Sequence, residues 1–223
     1  MALPAPPLPG DGAFFIDFEV GMMGWTRGLK YSMNDLALFQ RALRQRTDDG
    51  PRAYQHNQDL AQHGDGVARE MCRAQWREAG DSKRDFHDFY EGRASTEEFL
   101  SYVADSQELS LYILRAGNGP STFTNHEKAD VVEASIGAVD QDCNGAVDVM
   151  KEVLRGFGIC YPMTDEEVDE MERVWELARR ALAEQTAAVL EARRAAEAEA
   201  KAKAAYEAWR LWCWQQYWAQ GGR

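Results

Sequence analysis

The chain has 223 residues, 45% of them hydrophobic and 11% aromatic, which suits one globular domain with appended segments. Its formal net charge of -12 argues against tight binding of nucleic acid through a broad basic surface, because phosphate contacts dominate that affinity. No run approaches the roughly 18 apolar residues of a membrane helix, and the first ten residues lack the pattern of a signal or transit peptide.

The amino-terminal third predicts an extension followed by two helices. Residues 1–34 are interpreted as an N-terminal extension with a flexible start, in which Phe14–Phe18 is a short apolar segment of uncertain type. Apolar residues at helical spacing predict an amphipathic helix over residues 35–46, which Asp48–Pro51 breaks. A longer helix is predicted from Leu60 to Arg77, ending near Gly80.

The middle of the chain continues the helical pattern up to residue 160. The predicted elements are a connection or short helix at 81–91, a helix that starts at Ser95–Glu98, a short helix at 109–114, a loop at 116–120, a helix at 127–139, a turn at 140–145 and a helix to about 154. No strand alternation is convincing, so residues 35–160 are predicted to form an all-α domain.

The last third, residues 163–220, predicts one long helix. Thr164 and Glu167 form a capping box, and from there to about Ala219 there is no glycine or proline. Such a helix would span about 80 Å. Near its end, aromatic residues surround all helix faces: Trp209, Trp212, Trp214, Tyr217 and Trp218. This density favours a protein interface over packing against the chain's own body.

The chemistry is concentrated in Glu127–Ala138, where Asp130 and Glu133 are three residues apart and share one helix face. Two acids on a buried helix are costly unless a cation meets them, and a hard metal ion is one candidate. Asp65, in the run His63–Val67, could complete such a site. Taken singly, Asp130 and Glu133 also fit a solvated helix face, and Asp65 also fits a turn or cap.

Four runs, in order and spacing, resemble the ribonuclease III domain family over about residues 35–157. They are Leu38-Phe-Gln-Arg-Ala-Leu-Arg-Gln-Arg46, His56-Asn-Gln-Asp-Leu-Ala-Gln-His-Gly-Asp-Gly-Val67, the pair Ser95–Ala104 and Tyr112–Gly119, and Glu127–Ala138. The second resembles the family's signature Asn-Glu-Arg-Leu-Glu-Phe-Leu-Gly-Asp-Ala-Val, and the last its Leu-Ala-Asp-x-x-Glu-Ala-x-Ile-Gly-Ala.

The resemblance implies an all-helical endonuclease, followed here by a long C-terminal helix, that cuts double-stranded or structured RNA as a homodimer. It implies that Asp65, Asp130 and Glu133 are the catalytic residues and bind Mg²⁺ (or Mn²⁺), directly or through water. Arg93, Arg115 and Lys128 are candidates for phosphate contacts, or equally for surface charges.

The chain departs from the family pattern at two signature glutamates, which fall on Gln58 and Ala61. The run Leu60–Asp65 is closer to the minimal, mini-III branch, which also has alanine there and also lacks a double-stranded-RNA-binding domain. The family's fourth acid has no clear counterpart, and Asp85, Asp88 and Glu91 are the candidates.

Two other functions remain open. A catalytically inactive ribonuclease III fold could serve as a scaffold in an RNA–protein assembly, with the tryptophan-rich helix as its docking element. Alternatively, Asp140–Asp148 matches much of an EF-hand calcium loop, but its twelfth position is Lys151 instead of glutamate. The four scattered cysteines (Cys72, Cys143, Cys160 and Cys213) predict an intracellular reducing compartment.

Overall fold

The computed structural model describes residues 15–18, 29–45, 56–80, 85–114 and 122–219, and these are mainly helical, as predicted. The chain divides into two compact units, residues 1–179 and 180–223. The elements in chain order are β1 (Phe15–Phe18), β2 (Leu29–Ser32), α1 (Leu36–Ala42), α2 (Gln58–Ala79), α3 (Phe86–Phe89), α4 (Glu97–Ser106), α5 (Asn125–Asp142), α6 (Val147–Gly156) and α7 (Asp165–Ala219). A π-helical turn, Tyr90–Ala94, follows α3, and a 3-10 turn, Leu109–Tyr112, follows α4.

A two-stranded antiparallel hairpin precedes the predicted all-α domain and lies within the predicted N-terminal extension. β1 pairs with β2 so that Phe15 lies opposite Ser32 and Phe18 opposite Leu29. The segment Phe14–Phe18 was of uncertain type in the sequence, and its described part is a strand. Four-residue strands are too short to show a convincing alternation, so only the pairing reveals them.

Helix α1 is shorter than predicted because the residues after its carboxyl end form backbone hydrogen bonds with Leu114. The amide of Gln45 donates to the carbonyl of Leu114 (2.9 Å), and the amide of Leu114 donates to the carbonyl of Leu43 (2.8 Å). This bridge takes both segments out of helical geometry, so the helix predicted for 109–114 is also reduced to its 3-10 turn. Arg46 and the predicted breaker Asp48–Pro51 lie outside the described residues, as does the predicted loop at 116–120.

The helix ends follow local sequence signals. Gly80 has φ 60° and ends α2 in the left-handed region, where glycine is favoured. Thr96 caps α4 by accepting the amide of Phe99, and Thr164 and Glu167 form the predicted capping box at the start of α7. Helix α5 begins and ends outside its predicted bounds of 127–139, because a capping box at Thr124 starts it earlier and it continues to Asp142.

The core of the first unit is organised around α5, whose fully buried residues include Val131, Val132 and Ile136. The first turns of α7 complete this core through Met171, Val174 and Trp175, at the heptad positions that the sequence indicated. Beyond residue 182, every residue of α7 whose side chain is described is exposed. Among the described helices, none has the length and apolarity that a membrane span requires.

Candidate metal centre

The candidate site lies where α2 and α5 cross at very short range. A Cβ added at Gly64 would lie 1.9 Å from the carbonyl oxygen of Glu133, and one added at Gly137 would lie 2.2 Å from the carbonyl oxygen of Leu60. The two glycines therefore allow the helix backbones to touch, and a side chain at either position would force them apart. Because Asp65 follows Gly64, this crossing fixes it beside the turn of α5 that carries Glu133.

Asp65 lies within α2, so it is neither a turn nor a cap aspartate. Its side chain is 35% exposed, and Oδ1 accepts a hydrogen bond of 2.9 Å from the hydroxyl of Tyr90. One helical turn further on, a guanidinium nitrogen of Arg69 lies 3.7 Å from Oδ2 and 2.9 Å from a carboxylate oxygen of Glu91. Asp65 is thus a partly solvated carboxylate that the surrounding side chains hold in place.

Glu133 is the most strongly perturbed acid of the site. Its pKa is raised to about 8, first by burial and then by the negative charges of Asp65, Asp130 and Glu97, in that order. No hydrogen bond or ion pair to its carboxylate is found in the described part of the chain. Within the described ranges, the carboxylate of Glu133 is thus acted on by three other carboxylates and by no cation.

Asp130 lies one turn before Glu133 on the same face of α5, as the sequence spacing predicted. Burial raises its pKa; His126 opposes the shift, and the charges of Glu97 and Glu127 add to it. The imidazole Nε2 of His126 lies 3.8 Å from Asp130, and its Nδ1 lies 3.0 Å from Glu97. The charges of both Asp65 and Asp130 thus act on Glu133.

Glu97 is a fourth carboxylate of this cluster, and it was not among the site residues predicted from the sequence. It lies in the first turn of α4, directly after the cap Thr96, and its charge raises the pKa of both Asp130 and Glu133. Within the sequence it belongs to the run Ser95–Glu98, where a glutamate already has an explanation as part of a helix start. No local pattern indicates that this turn faces α5.

The three residues considered for the fourth acid have other roles or positions. Asp85 caps α3 by accepting the amide of His87 (2.7 Å), Asp88 is exposed, and Glu91 pairs with Arg69. Ala61, where the family has a glutamate, is buried in the core with 4% exposure. Among the described residues, Glu97 of α4 is the further carboxylate whose charge acts on both Asp130 and Glu133.

The donor chemistry of the cluster fits a hard divalent cation. No three carboxylate, imidazole or thiolate groups in the described ranges converge closely enough to hold a metal ion as they stand. However, Mg²⁺ retains several waters and is usually bound by only one or two carboxylates directly, so it does not require converged donors. Carboxylates such as half-buried Glu133 and the three whose charges act on it are the donors that such an ion prefers.

The basic residues proposed for phosphate contacts are mostly engaged within the protein. Arg93 donates to Glu172 (2.5 Å) and lies over the ring of Trp175, and Lys128 donates to Asp105 (2.7 Å). Arg115 lies outside the described residues. Both described cations thus hold helices together, and contact with a phosphate would have to compete with these ion pairs.

The segment that matches a calcium loop is used differently in this fold. Asp140 and Asp142 belong to α5, and the turn begins only at Cys143, with Asn144 and Gly145 at positive φ. Asp140 lies 2.8 Å from the imidazole of His63. The carboxylate of Asp142 accepts four hydrogen bonds from one segment, namely from Tyr31 Oη, Asn34 N, Asn34 Nδ2 and Asp35 N. Two of the carboxylates that would bind calcium therefore already have protein donors.

Comparison of the sequence with protein-family models gave no match, and a search of curated proteins gave none either.

Proposed function

We propose that the chain is a metal-dependent endoribonuclease of the ribonuclease III type, which cleaves double-stranded or structured RNA with Mg²⁺ (or Mn²⁺). The observation that carries this proposal is the environment of Glu133. Its carboxylate is half-buried beside Asp65, Asp130 and Glu97, its pKa is raised to about 8, and no cation of the described chain compensates it. Three of these four acids are those that the ribonuclease III resemblance assigns to the metal.

The energetic argument is that such a cluster is costly unless something outside the chain stabilises it. A buried carboxylate can keep its proton, or it can ionise beside a cation, and each alternative relieves the repulsion. A resident divalent ion would lower the pKa of Glu133 and recover the lost stability, so metal binding and folding are coupled here. Clusters of this kind are common at functional sites.

When bound, a divalent ion would supply an activated water and would stabilise charge on the attacking and leaving oxygens of the phosphate. The contribution of the chain is the placement of the carboxylates. Asp65 is held by Tyr90, and the crossing at Gly64 and Gly137 fixes its distance from Glu133. Because the protein as a whole is acidic, the ion would also reduce the repulsion of RNA phosphates at this one place.

The test is cleavage of a long RNA duplex in Mg²⁺ by the native chain and by Glu133→Gln, with Glu98→Gln as the matched control. Glu98 is an exposed glutamate of the same helix turn as Glu97, and no effect on Glu133 is found for it. We expect the native chain and the control to cleave, and the Glu133→Gln variant to be inactive. Absence of metal-dependent cleavage by the native chain would refute the proposal.

The second candidate is a catalytically inactive ribonuclease III fold that acts as a scaffold in an RNA–protein assembly. Two observations favour it: alanine occupies the buried position 61, and the terminal helix exposes more than half of each of four aromatic side chains. These are Tyr206, Trp209, Trp212 and Trp214. Exposed aromatic residues at this density are typical of the centre of a protein interface.

For the scaffold, deletion of residues 206–223 should abolish retention of the partner in a pull-down, while an inactive Glu133→Gln chain should still retain it. Unchanged retention by the truncated chain would contradict the docking role. The proposed nuclease should also be a homodimer, and sedimentation equilibrium of the full chain would measure this directly. A monomer at micromolar concentration would contradict the dimer.

A further inference from the structure

The carboxylate of Asp65 lies beside two side chains, the hydroxyl of Tyr90 and the guanidinium of Arg69. The hydroxyl of Tyr90 donates to Oδ1 at 2.9 Å and also lies 3.1 Å from the backbone carbonyl oxygen of Asp65. The guanidinium of Arg69 lies 3.7 Å from Oδ2, which is an ion-pair distance and too long for a hydrogen bond. We propose that Tyr90 is a positioning residue that orients Asp65 for metal binding; this rests on the proposed function.

Tyr90 is itself held rigidly enough for this role. Its side chain is only 1% exposed, and its ring stacks on Phe86 with centroids 5.6 Å apart and an interplanar angle of 8°. Its carbonyl accepts hydrogen bonds of 2.9 Å from both the amide and the hydroxyl of Ser95 across the π-helical turn. Single π-helical turns often occur at functional sites, because they re-aim one side chain within a helix.

The ring of Tyr90 is also held from one of its faces. The guanidinium of Arg69 lies 5.5 Å from the centre of the Tyr90 ring and is anchored on its other side by Glu91. The phenol is therefore fixed from the ring face as well as from its backbone.

The two carboxylate oxygens of Asp65 therefore have different partners. Oδ1 is used by Tyr90, while Oδ2 has no hydrogen bond in the described structure and keeps its lone pairs for an ion or its water. A carboxylate that is already oriented loses less conformational entropy when it binds a metal ion. Partners of this kind typically change metal affinity by 10- to 100-fold. Because alanine at position 61 supplies no carboxylate, metal binding at this site depends more on how Asp65 is oriented.

The experiment measures Mn²⁺ binding by calorimetry on the full chain, and it compares the native protein with Tyr90→Phe, Asp65→Asn and the double variant. We expect Tyr90→Phe to weaken Mn²⁺ binding by about tenfold or more. The double variant should bind no more weakly than Asp65→Asn alone, because Tyr90 acts through Asp65. Tyr102→Phe, which removes a hydroxyl on α4, is the matched control and should bind like the native chain.

The outcomes separate this inference from the proposed function. If the native chain binds Mn²⁺ and Tyr90→Phe binds it equally well, the positioning role is refuted and the metal site stands. If the losses of the two single variants simply add, Tyr90 acts by another route and the inference also fails. If the native chain binds no Mn²⁺, the metal site itself is wrong, and the positioning role falls with it. Melting temperatures of all variants check that each chain is folded.

Discussion

Gly64→Ala tests whether α2 and α5 cross closely enough to place Asp65 beside Glu133. The new Cβ would lie 1.9 Å from the carbonyl oxygen of Glu133 and 2.8 Å from the amide nitrogen of Gly137. Both atoms belong to the backbone of a buried helix, so neither can move aside as a flexible side chain could. To reach the 3.4 Å of ordinary van der Waals contact, the helices would have to separate by about 1.5 Å.

Two effects of opposite sign determine how much Gly64→Ala changes the free energy of unfolding. Alanine is a better helix former than glycine, which stabilises the variant by about 1 kcal/mol. Overpacking typically costs about 1–3 kcal/mol, and a clash with another helix's backbone belongs at the upper end of that range. The net expectation is a loss of about 2 kcal/mol in the free energy of unfolding. Gly66→Ala is the control, because its Cβ would meet nothing within 4 Å and it should gain about 1 kcal/mol.

Urea unfolding followed by near-UV circular dichroism would measure the difference between the two variants. The near-UV signal reports on packed aromatic residues of the first unit, such as Tyr90 and Trp175, whereas the far-UV signal would be dominated by the long helix α7. We expect the midpoint of Gly64→Ala to fall and that of Gly66→Ala to rise. A Gly64→Ala chain as stable as Gly66→Ala would refute the close crossing and, with it, the placement of Asp65 beside Glu133.

Three further predictions concern charged residues. In the metal-free chain, the unfolded state loses the proton of Glu133 near pH 4.5, whereas the folded state keeps it to about pH 8, so stability should fall as the pH rises through this window. Urea titrations should therefore find Glu133→Gln more stable than the native chain near pH 9, by up to about 5 kcal/mol, and no more stable near pH 4; a constant difference would contradict the raised pKa. Glu97→Gln should lower the pKa of Glu133, measured by NMR titration, and weaken Mn²⁺ binding by about tenfold, whereas Glu98→Gln should change neither. Asp142→Ala removes an acceptor of four hydrogen bonds and should cost about 2–3 kcal/mol in thermal unfolding, while the exposed Asp148→Ala should cost under about 1 kcal/mol.

Local signals predicted most of the helices, because capping and termination depend on residues a few positions apart. The end of α2 at Gly80 and the capping box of Thr164 and Glu167 were predicted from the sequence and are confirmed. The predicted helix bounds are wrong where a segment distant in the chain forms backbone hydrogen bonds with the end of the helix. Helix α1 ends early because Leu43 and Gln45 pair with Leu114, about 70 residues away, and spacing within either segment carries no trace of that pairing.

The spacing of Asp130 and Glu133 already requires that they share one face of a helix, because of the period of an α-helix. Spacing in the sequence cannot show which other carboxylates lie near these two. Glu97 joins the cluster because α4 packs against α5, and Asp65 joins it because two glycines let α2 approach α5 closely. Whether an acid is compensated depends on neighbours that are distant in the chain, so the lack of a cation beside Glu133 among the described residues follows from helix packing and not from local sequence.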